Sequence, residues 1–298
     1  MLFHVTGARG LVGQAVTSGL AELGDVHVTD VEDMDVTDLE AVRATLASRP
    51  PDVVVHLAGL KGNLPSREQP LKFIDVNTNG TVNLLEASRL LGVKHFVFFS
   101  SLTVHGPGNE PVDETSPLDP QHPYSGSKGA SESIVRAYSH SYGMGATIFR
   151  PNFIVGPIYP PQPYADNLIY DFIQAIHDDG VIELAGEGQY QREWMHPVDI
   201  ASAVGLAVSA TGTGCETYIL RGERVTMHDL ATRIVQRVGK GRITTNPNRG
   251  GFSIISSSEK AERELGWKPN VDLNTLISEI WDEYQERVRT ARDSNNGN

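Results

Sequence analysis

The chain has 298 residues, 39% of them hydrophobic, which is enough for one large globular unit or two moderate ones with a proper core. Its 25 lysines and arginines against 37 aspartates and glutamates give a net charge of −12, which opposes non-specific binding to nucleic acid or to anionic membranes. A single cysteine, Cys215, excludes an intramolecular disulfide and a cysteine-based metal site, and the ten histidines lack metal-ligand spacing.

In chain order, the short β-branched and apolar runs at 2–5, 26–29, 53–57, 96–99 and 147–149 read as buried strands. Segments with helical spacing lie between them, one marked by Leu39, Val42 and Leu46 and another by Leu84, Leu85, Leu90 and Leu91. Such alternation predicts an α/β fold with a doubly wound parallel sheet, which collects ligands at the carboxyl ends of its strands. No stretch approaches the roughly 18 consecutive apolar residues of a membrane helix. The numbered chain opens on the apolar run 2–5 rather than on a secretion signal, so no membrane partner and a cytoplasmic location are expected. The regular alternation fails after residue 157, where a Pro- and Tyr-rich stretch (157–164) marks a change of organisation. Helical patterns follow near 166–177, 198–208, 226–238, 258–265 and 272–290. The polar tail 291–298 is expected to be disordered.

Between the first strand and the first helix lies Thr6-Gly7-Ala8-Arg9-Gly10-Leu11-Val12-Gly13. Small residues there let the backbone approach a pyrophosphate and aim helix amides at its charge, which points to a dinucleotide. Asp30 ends the second strand, where a carboxylate can bind a ribose and repel a 2′-phosphate. NAD is favoured over NADP on that ground, although Arg9 could meet a phosphate.

Tyr124-Ser125-Gly126-Ser127-Lys128 opens a further helix, placing Tyr124 and Lys128 on one face. A lysine ammonium close to a phenol would lower the phenol's pKa and make it a usable acid or base. Ser100 and Ser101 follow the strand at 96–99, which brings a hydroxyl to the same sheet end.

Taken together with HLAGLK (56–61), Asn77 in NTNGT, SSLTVHG (100–106), RPNFIVGP (150–157), NLI (167–169), REWMHPVDIA (192–201) and EKAERELGWKP (259–269), these motifs resemble the NAD-dependent epimerase/dehydratase family of extended short-chain dehydrogenases. The resemblance spans nearly the whole chain. It implies a Rossmann domain over 1–165, rejoined by part of 192–222, and a smaller, mixed substrate-binding domain over 166–290. It implies that Gly7, Gly10 and Gly13 line the cofactor diphosphate with Arg9, Leu11 and Val12 beside them, that Asp35 and Val36 line the adenine, and that Leu57, Ala58, Gly59, Lys61, Asn77, Ser100 and Pro151 line the rest of the cofactor. Ser101, Tyr124 and Lys128 would be the catalytic residues. Substrate contacts would come from Ser101, Thr103, Tyr124, Asn152, Phe153 and, for the diphosphate of a nucleotide sugar, Asn167, Arg192 and Arg249.

Family dehydratases carry acidic residues just after the catalytic hydroxyl, whereas this chain has Leu102 and Thr103. The HLAGLK stretch and the loop to Asn77 resemble UDP-galactose 4-epimerases, so C4 epimerisation through tightly bound NAD is the expected reaction. The short link from the second strand to Asp35 is shared with 4-keto-sugar reductases, which keeps reduction open, and a non-catalytic dinucleotide-binding regulator is the alternative outside catalysis. His105 and Phe153 depart from the family's usual residues. A loop-packing role is expected for His105 rather than proton donation. The family's habit of pairing helices, here 70–91 and 123–142, implies a homodimer.

Overall fold

The computed structural model describes residues 1–157, 167–210 and 212–296, with side chains through 291. Residues 158–166, which include all of the Pro- and Tyr-rich stretch except Pro157, fall outside the described residues. The first half alternates as its sequence predicts: β1 (Leu2–Thr6), α1 (Leu11–Leu20), β2 (Asp25–Thr29), α2 (Leu39–Ser48), β3 (Val53–His56), α3 (Asn63–Glu68), α4 (Pro70–Ile74), α5 (Gly80–Leu91), β4 (His95–Phe99), α6 (Pro123–Tyr142) and β5 (Gly145–Pro151). β3, β4 and β5 are buried along their whole length, as strands covered on both faces must be.

These strands form one parallel sheet in the order β2-β1-β3-β4-β5, which is extended by β9 (Cys215–Leu220) beside β5. The strand order changes direction between β1 and β3, and that crevice is where an open α/β sheet binds its ligand. Among the described residues β2 is the edge strand, and the chain runs from it into the loop carrying Asp35 and Val36 and then into α2.

The rest of the chain adds β6 (Phe153–Ile154), α7 (Leu168–Asp179), β7 (Val181–Ala185), β8 (Gln191–Met195), α8 (Pro197–Ser209), β10 (Glu223–Thr226), α9 (Met227–Val238), β11 (Arg242–Asn246), α10 (Glu259–Leu265) and α11 (Leu273–Asn296). β10-β8-β6 make a small mixed sheet, and β11 pairs in parallel with β7. Of these helices, α8 returns to the large sheet, with Ala201 against Gly19 of α1, and shares its core with Phe3, Val5, Val16 and Leu20. A separate core gathers Ile169, Ile173, Trp194, Leu230, Ile277 and Tyr284 from α7, β8, α9 and α11. No described helix is long and apolar enough to cross a membrane.

Two expectations change. The final helix continues to Asn296, beyond the point where the polar composition suggested disorder from residue 291, while 297–298 lie outside the described residues. The pattern near 70–91 suggests one helix, but a π-helical turn (Asp75–Asn79) separates α4 from α5. The hydroxyls of Thr81 and Ser131 reach the Asn77 carbonyl at 2.6 and 2.9 Å, a side-chain competition for backbone that opens a helix locally.

Candidate active site

At the β1–β3 crevice the glycine loop is shaped for close approach. Gly7 has φ +69°, and a Cβ there would sit 2.7 Å from the Ala58 nitrogen; one at Gly13 would sit 2.2 Å from the Gly7 carbonyl oxygen. Gly10 caps α1 with no side chain on its amides, and no acidic residue stands in the first turn, which leaves a helix N-terminus suited to a phosphate. Val12 packs into the core, and Leu11 faces Gly156.

Asp30 accepts hydrogen bonds from the Arg9 and Val31 amides, each at 2.9 Å. The Arg9 guanidinium is held by Glu32 at 2.6 Å and Asp33 at 2.9 Å. This corner is rich in carboxylates, so its electrostatics favour a free ribose over a 2′-phosphate. Asp35 is exposed, and its Oδ1 accepts from the Thr37 amide and hydroxyl at 2.9 and 2.8 Å; buried Val36 lies against Gly80. Across the crevice, a side chain at Gly59 would lie 3.1 Å from Asn77 Oδ1 and 3.3 Å from Lys128 Nζ, so glycine keeps these three in contact. Asn77 accepts the Leu60 amide at 2.7 Å, Leu57 and Ala58 bond back to Thr6, and Lys61 is exposed on the same loop.

The catalytic candidates converge. Ser101 follows β4 and caps a short 3-10 turn, and its Oγ accepts from Thr103 Oγ1 at 2.9 Å and the Thr103 amide at 3.3 Å. Pro123 and a capping box between His122 and Ser125 start α6, fixing Tyr124 in its first turn, where the helix field favours a phenolate. The Ser101 hydroxyl lies near enough to the Tyr124 phenol to lower its pKa, and the phenol ring stacks on His122 with centroids 5.9 Å apart and meets the edge of Phe73 at 6.3 Å. Lys128 is buried and donates to the Phe99 carbonyl at 2.7 Å, while burial pushes its pKa down to about 8.

The expected route to an acidic phenol needs correction. Lys128 is committed to the Phe99 carbonyl; the group that lowers the Tyr124 pKa is Ser101, and burial outweighs it, so the phenol titrates above its ordinary value.

Ser100 is buried with its hydroxyl unpartnered, and Pro151 ends β5 opposite Leu220. His105 is buried, with Nδ1 on the Pro117 carbonyl at 3.0 Å and Nε2 on Arg150 at 3.1 Å, so both ring nitrogens serve packing. Asn152 does not present free amide protons to a ligand: Nδ2 donates to Glu193 at 2.7 Å and to the Ile254 carbonyl at 3.3 Å. Glu193, fully buried, also accepts from Arg224 and from the amide and hydroxyl of Ser256.

Arg192 on β8 is 9% exposed and surrounded by the rings of Phe252, Phe153 and Tyr190, with its guanidinium carbon 4.3, 5.0 and 5.4 Å from their centroids. Among the described residues its Nη1 has no hydrogen-bond partner, and burial pushes its pKa down to about 10. A desolvated cation with no acid beside it among the described residues fits an anionic ligand. Asn167 caps α7 through the Tyr170 amide at 3.3 Å. Arg249 does not join Arg192 among the described contacts; it is exposed and pairs with Glu183 at 3.5 Å. Tyr190 and Phe252 were not singled out in the sequence, and nothing local marks Phe252, since it sits in a Gly-Gly-Phe loop far along the chain.

Comparison with known proteins agrees with this geometry. Residues 3–219 match the NAD dependent epimerase/dehydratase family. A UDP-glucose 4-epimerase of Streptococcus mutans is 27% identical, with 94% of this chain and 96% of the relative aligned. A dTDP-glucose 4,6-dehydratase of Shigella flexneri is also 27% identical, over 95% of this chain and 92% of its own length. The crystal structure of UDP-glucose 4-epimerase from Thermotoga maritima, solved with UDP-glucose, superposes with a TM-score of 0.87 at 25% identity, covering 97% of this chain and all of that one. A dinucleotide cleft, a hydroxyl and phenol beside a buried lysine, and the match over more than half the chain lead to one conclusion: the protein belongs to the NAD dependent epimerase/dehydratase family.

Proposed function

We propose that the protein is a nucleotide-sugar 4-epimerase of the UDP-glucose/UDP-galactose type, acting through transient oxidation at C4. The observation that carries this reading is the approach of the Ser101 hydroxyl, at the carboxyl end of β4, to the Tyr124 phenol whose pKa it lowers, beside buried Lys128. Dehydration would need an acid near this pair. The two following positions hold Leu102, fully buried, and Thr103, whose hydroxyl is turned to Ser101.

NAD is the family's cofactor, and the crevice fits it: Gly7, Gly10 and Gly13 would border the pyrophosphate, Asp30 the adenine ribose, and Lys128, with ammonium protons beyond the one given to Phe99, the nicotinamide ribose. When bound, NAD supplies the acceptor, and later the donor, of the C4 hydride. Tyr124 moves the matching proton, taking it from the C4 hydroxyl and returning it once the sugar has presented its other face. Thr103 engages the Ser101 lone pairs, so Ser101 has one proton to give, directed at the Tyr124 oxygen in the free enzyme and turned to the C4 oxygen when substrate lies beside both. Arg192 holds the substrate diphosphate, and Asn167, buried at the start of α7, is the second candidate for it. Exposed Leu71, Ile74, Leu90 and Tyr142 lie along α4, α5 and α6 and support a homodimer through these helices; a monomer mass by light scattering at micromolar concentration would count against it. A cytoplasmic location belongs to this reading, given the lone Cys215.

Purified protein should retain NAD through gel filtration and interconvert UDP-glucose and UDP-galactose with no cofactor added. Consumption of NADH or NADPH only with a 4-keto sugar would replace epimerisation with reduction. Tight NAD binding with no turnover on a nucleotide-sugar panel would leave a non-catalytic regulator.

A further inference from the structure

We propose that His56, as its neutral Nε2–H tautomer, is a positioning residue that ties the glycine loop to the helix carrying Tyr124. This rests on the reading of Tyr124 as the proton carrier, and it concerns how that side chain is held. The hydrogen bonds set the direction. Thr81 Oγ1 has one proton and gives it to the Asn77 carbonyl at 2.6 Å. It must therefore accept from His56 Nε2 at 3.1 Å, which makes Nε2 the protonated nitrogen. His56 Nδ1 is then an acceptor for Thr6 Oγ1 at 2.9 Å, and Thr6 Oγ1 in turn accepts the Ala58 amide at 3.2 Å.

One continuous chain of donors thus runs from Ala58 through Thr6, His56 and Thr81 to the π turn. From there Asn77 Nδ2 donates to Ser127 Oγ at 3.0 Å, and Ser127 Oγ donates to the Tyr124 carbonyl at 2.8 Å. Ser131 Oγ closes the contact between α6 and Asn77 at 2.9 Å. Thr6 precedes Gly7, and Asn77 touches the Gly59–Lys128 contact, so His56 sits between both halves of the cleft. Reversing its tautomer would oppose lone pair to lone pair at Thr81 and proton to proton at Thr6.

The imidazole is 1% exposed, with the Phe96 and Phe98 rings at 6.1 and 6.0 Å. The charged or titratable groups that influence it are Lys128 and His4, and both, after burial, disfavour the imidazolium. Its pKa falls to about 3, so the chain of donors persists across ordinary pH.

The test uses full-length protein labelled with 15N-histidine, in wild type, Thr81→Val and Thr81→Ser. Nitrogen shifts of wild-type His56 should show protonated Nε2 and bare Nδ1, unchanged between about pH 5 and 8. Thr81→Val should shift His56 toward the other tautomer and lower kcat about tenfold, with KM and the Kd for NAD changed by less than about threefold, while Thr81→Ser restores kcat. A wild-type Nδ1–H tautomer, or a Thr81→Val enzyme that melts earlier yet keeps its kcat, would overturn the proposal. If Thr81→Val does not fold, Thr6→Val interrupts the same chain and the wild-type tautomer still decides. A wild type that binds NAD but turns over no nucleotide sugar would sink the epimerase reading alone. This proposal would then be decided by the tautomer and by whether the 13C titration of Tyr124 moves in Thr81→Val.

Discussion

The proton-transfer corner and the Arg192 pocket hold their key groups by opposite means. Around Tyr124, polar groups on β1, β3, the π turn and α6 are joined by directional hydrogen bonds in the interior, so geometry is set before a ligand arrives. Around Arg192, a cation is buried among three aromatic rings with one nitrogen unpartnered among the described residues, a setting that the proposed substrate diphosphate would complete. The first region keeps its stability and its function in the same bonds. In the second, the proposed function would be held at the expense of stability, and substitutions should separate the two.

The largest effect expected is on rate. Tyr124→Phe should lower kcat by about 10²- to 10⁴-fold, the range for loss of a positioned acid–base group, with little change in melting temperature; full turnover in stopped assays would remove Tyr124 from the reaction. The next falls on stability. Glu193→Gln faces the donors of Arg224, Asn152 and Ser256 with an amide, and unfolding in urea should show a loss of about 3 kcal/mol, the lower end for breaking a buried pair because Arg224 is partly exposed.

Arg192→Met should invert that pattern. Removing an unpaired buried cation should leave the protein as stable or more stable, while kcat/KM for a nucleotide sugar falls about tenfold or more, in line with the roughly 1.5–3 kcal/mol of a charge-assisted bond. A drop in stability at unchanged kcat/KM would make Arg192 structural.

The smallest effect is the response to pH. His4, His56 and His95 have folded pKa values lowered to about 4, 3 and 4, below the unfolded value of 6.5. The unfolded chain therefore binds more protons as pH falls below about 6.5, and melting temperature should decline between pH 6.5 and 4. Lys128, lowered to about 8 from 10.5, acts in the same sense higher up, so the cost of burying it charged is relieved as pH rises above about 8. Melting curves from pH 4 to 9 check both signs, and a flat profile below pH 6.5 would mean these histidines are not buried as neutral rings.

The two regions also differ in how far the sequence discloses them. Gly7, Gly13, Tyr124 and Lys128 were legible because each stands at a fixed offset on a regular element, and the strand that leads to it is a plain apolar run. The alternation likewise disclosed the parallel sheet. It could not disclose the π turn, which depends on the hydroxyls of Thr81 and Ser131 meeting one carbonyl, nor the true perturbers of the Tyr124 phenol, which depend on where Lys128 points. Arg192 stood out as a residue type in a motif, but its aromatic surround did not, because Phe252 arrives from a loop 60 positions later. Asn152 and Arg249 were assigned to substrate by motif position; the buried Glu193 and the exposed Glu183 engage them instead.

The fate of the C4 hydrogen tests the central claim most directly. UDP-glucose deuterated at C4, incubated with the purified protein in ordinary water and followed by NMR and mass spectrometry, should yield UDP-galactose that keeps its deuterium at C4, because the same hydride leaves and returns. Deuterium appearing at C6 of a 4-keto-6-deoxy sugar, or no UDP-galactose at all, would contradict the account.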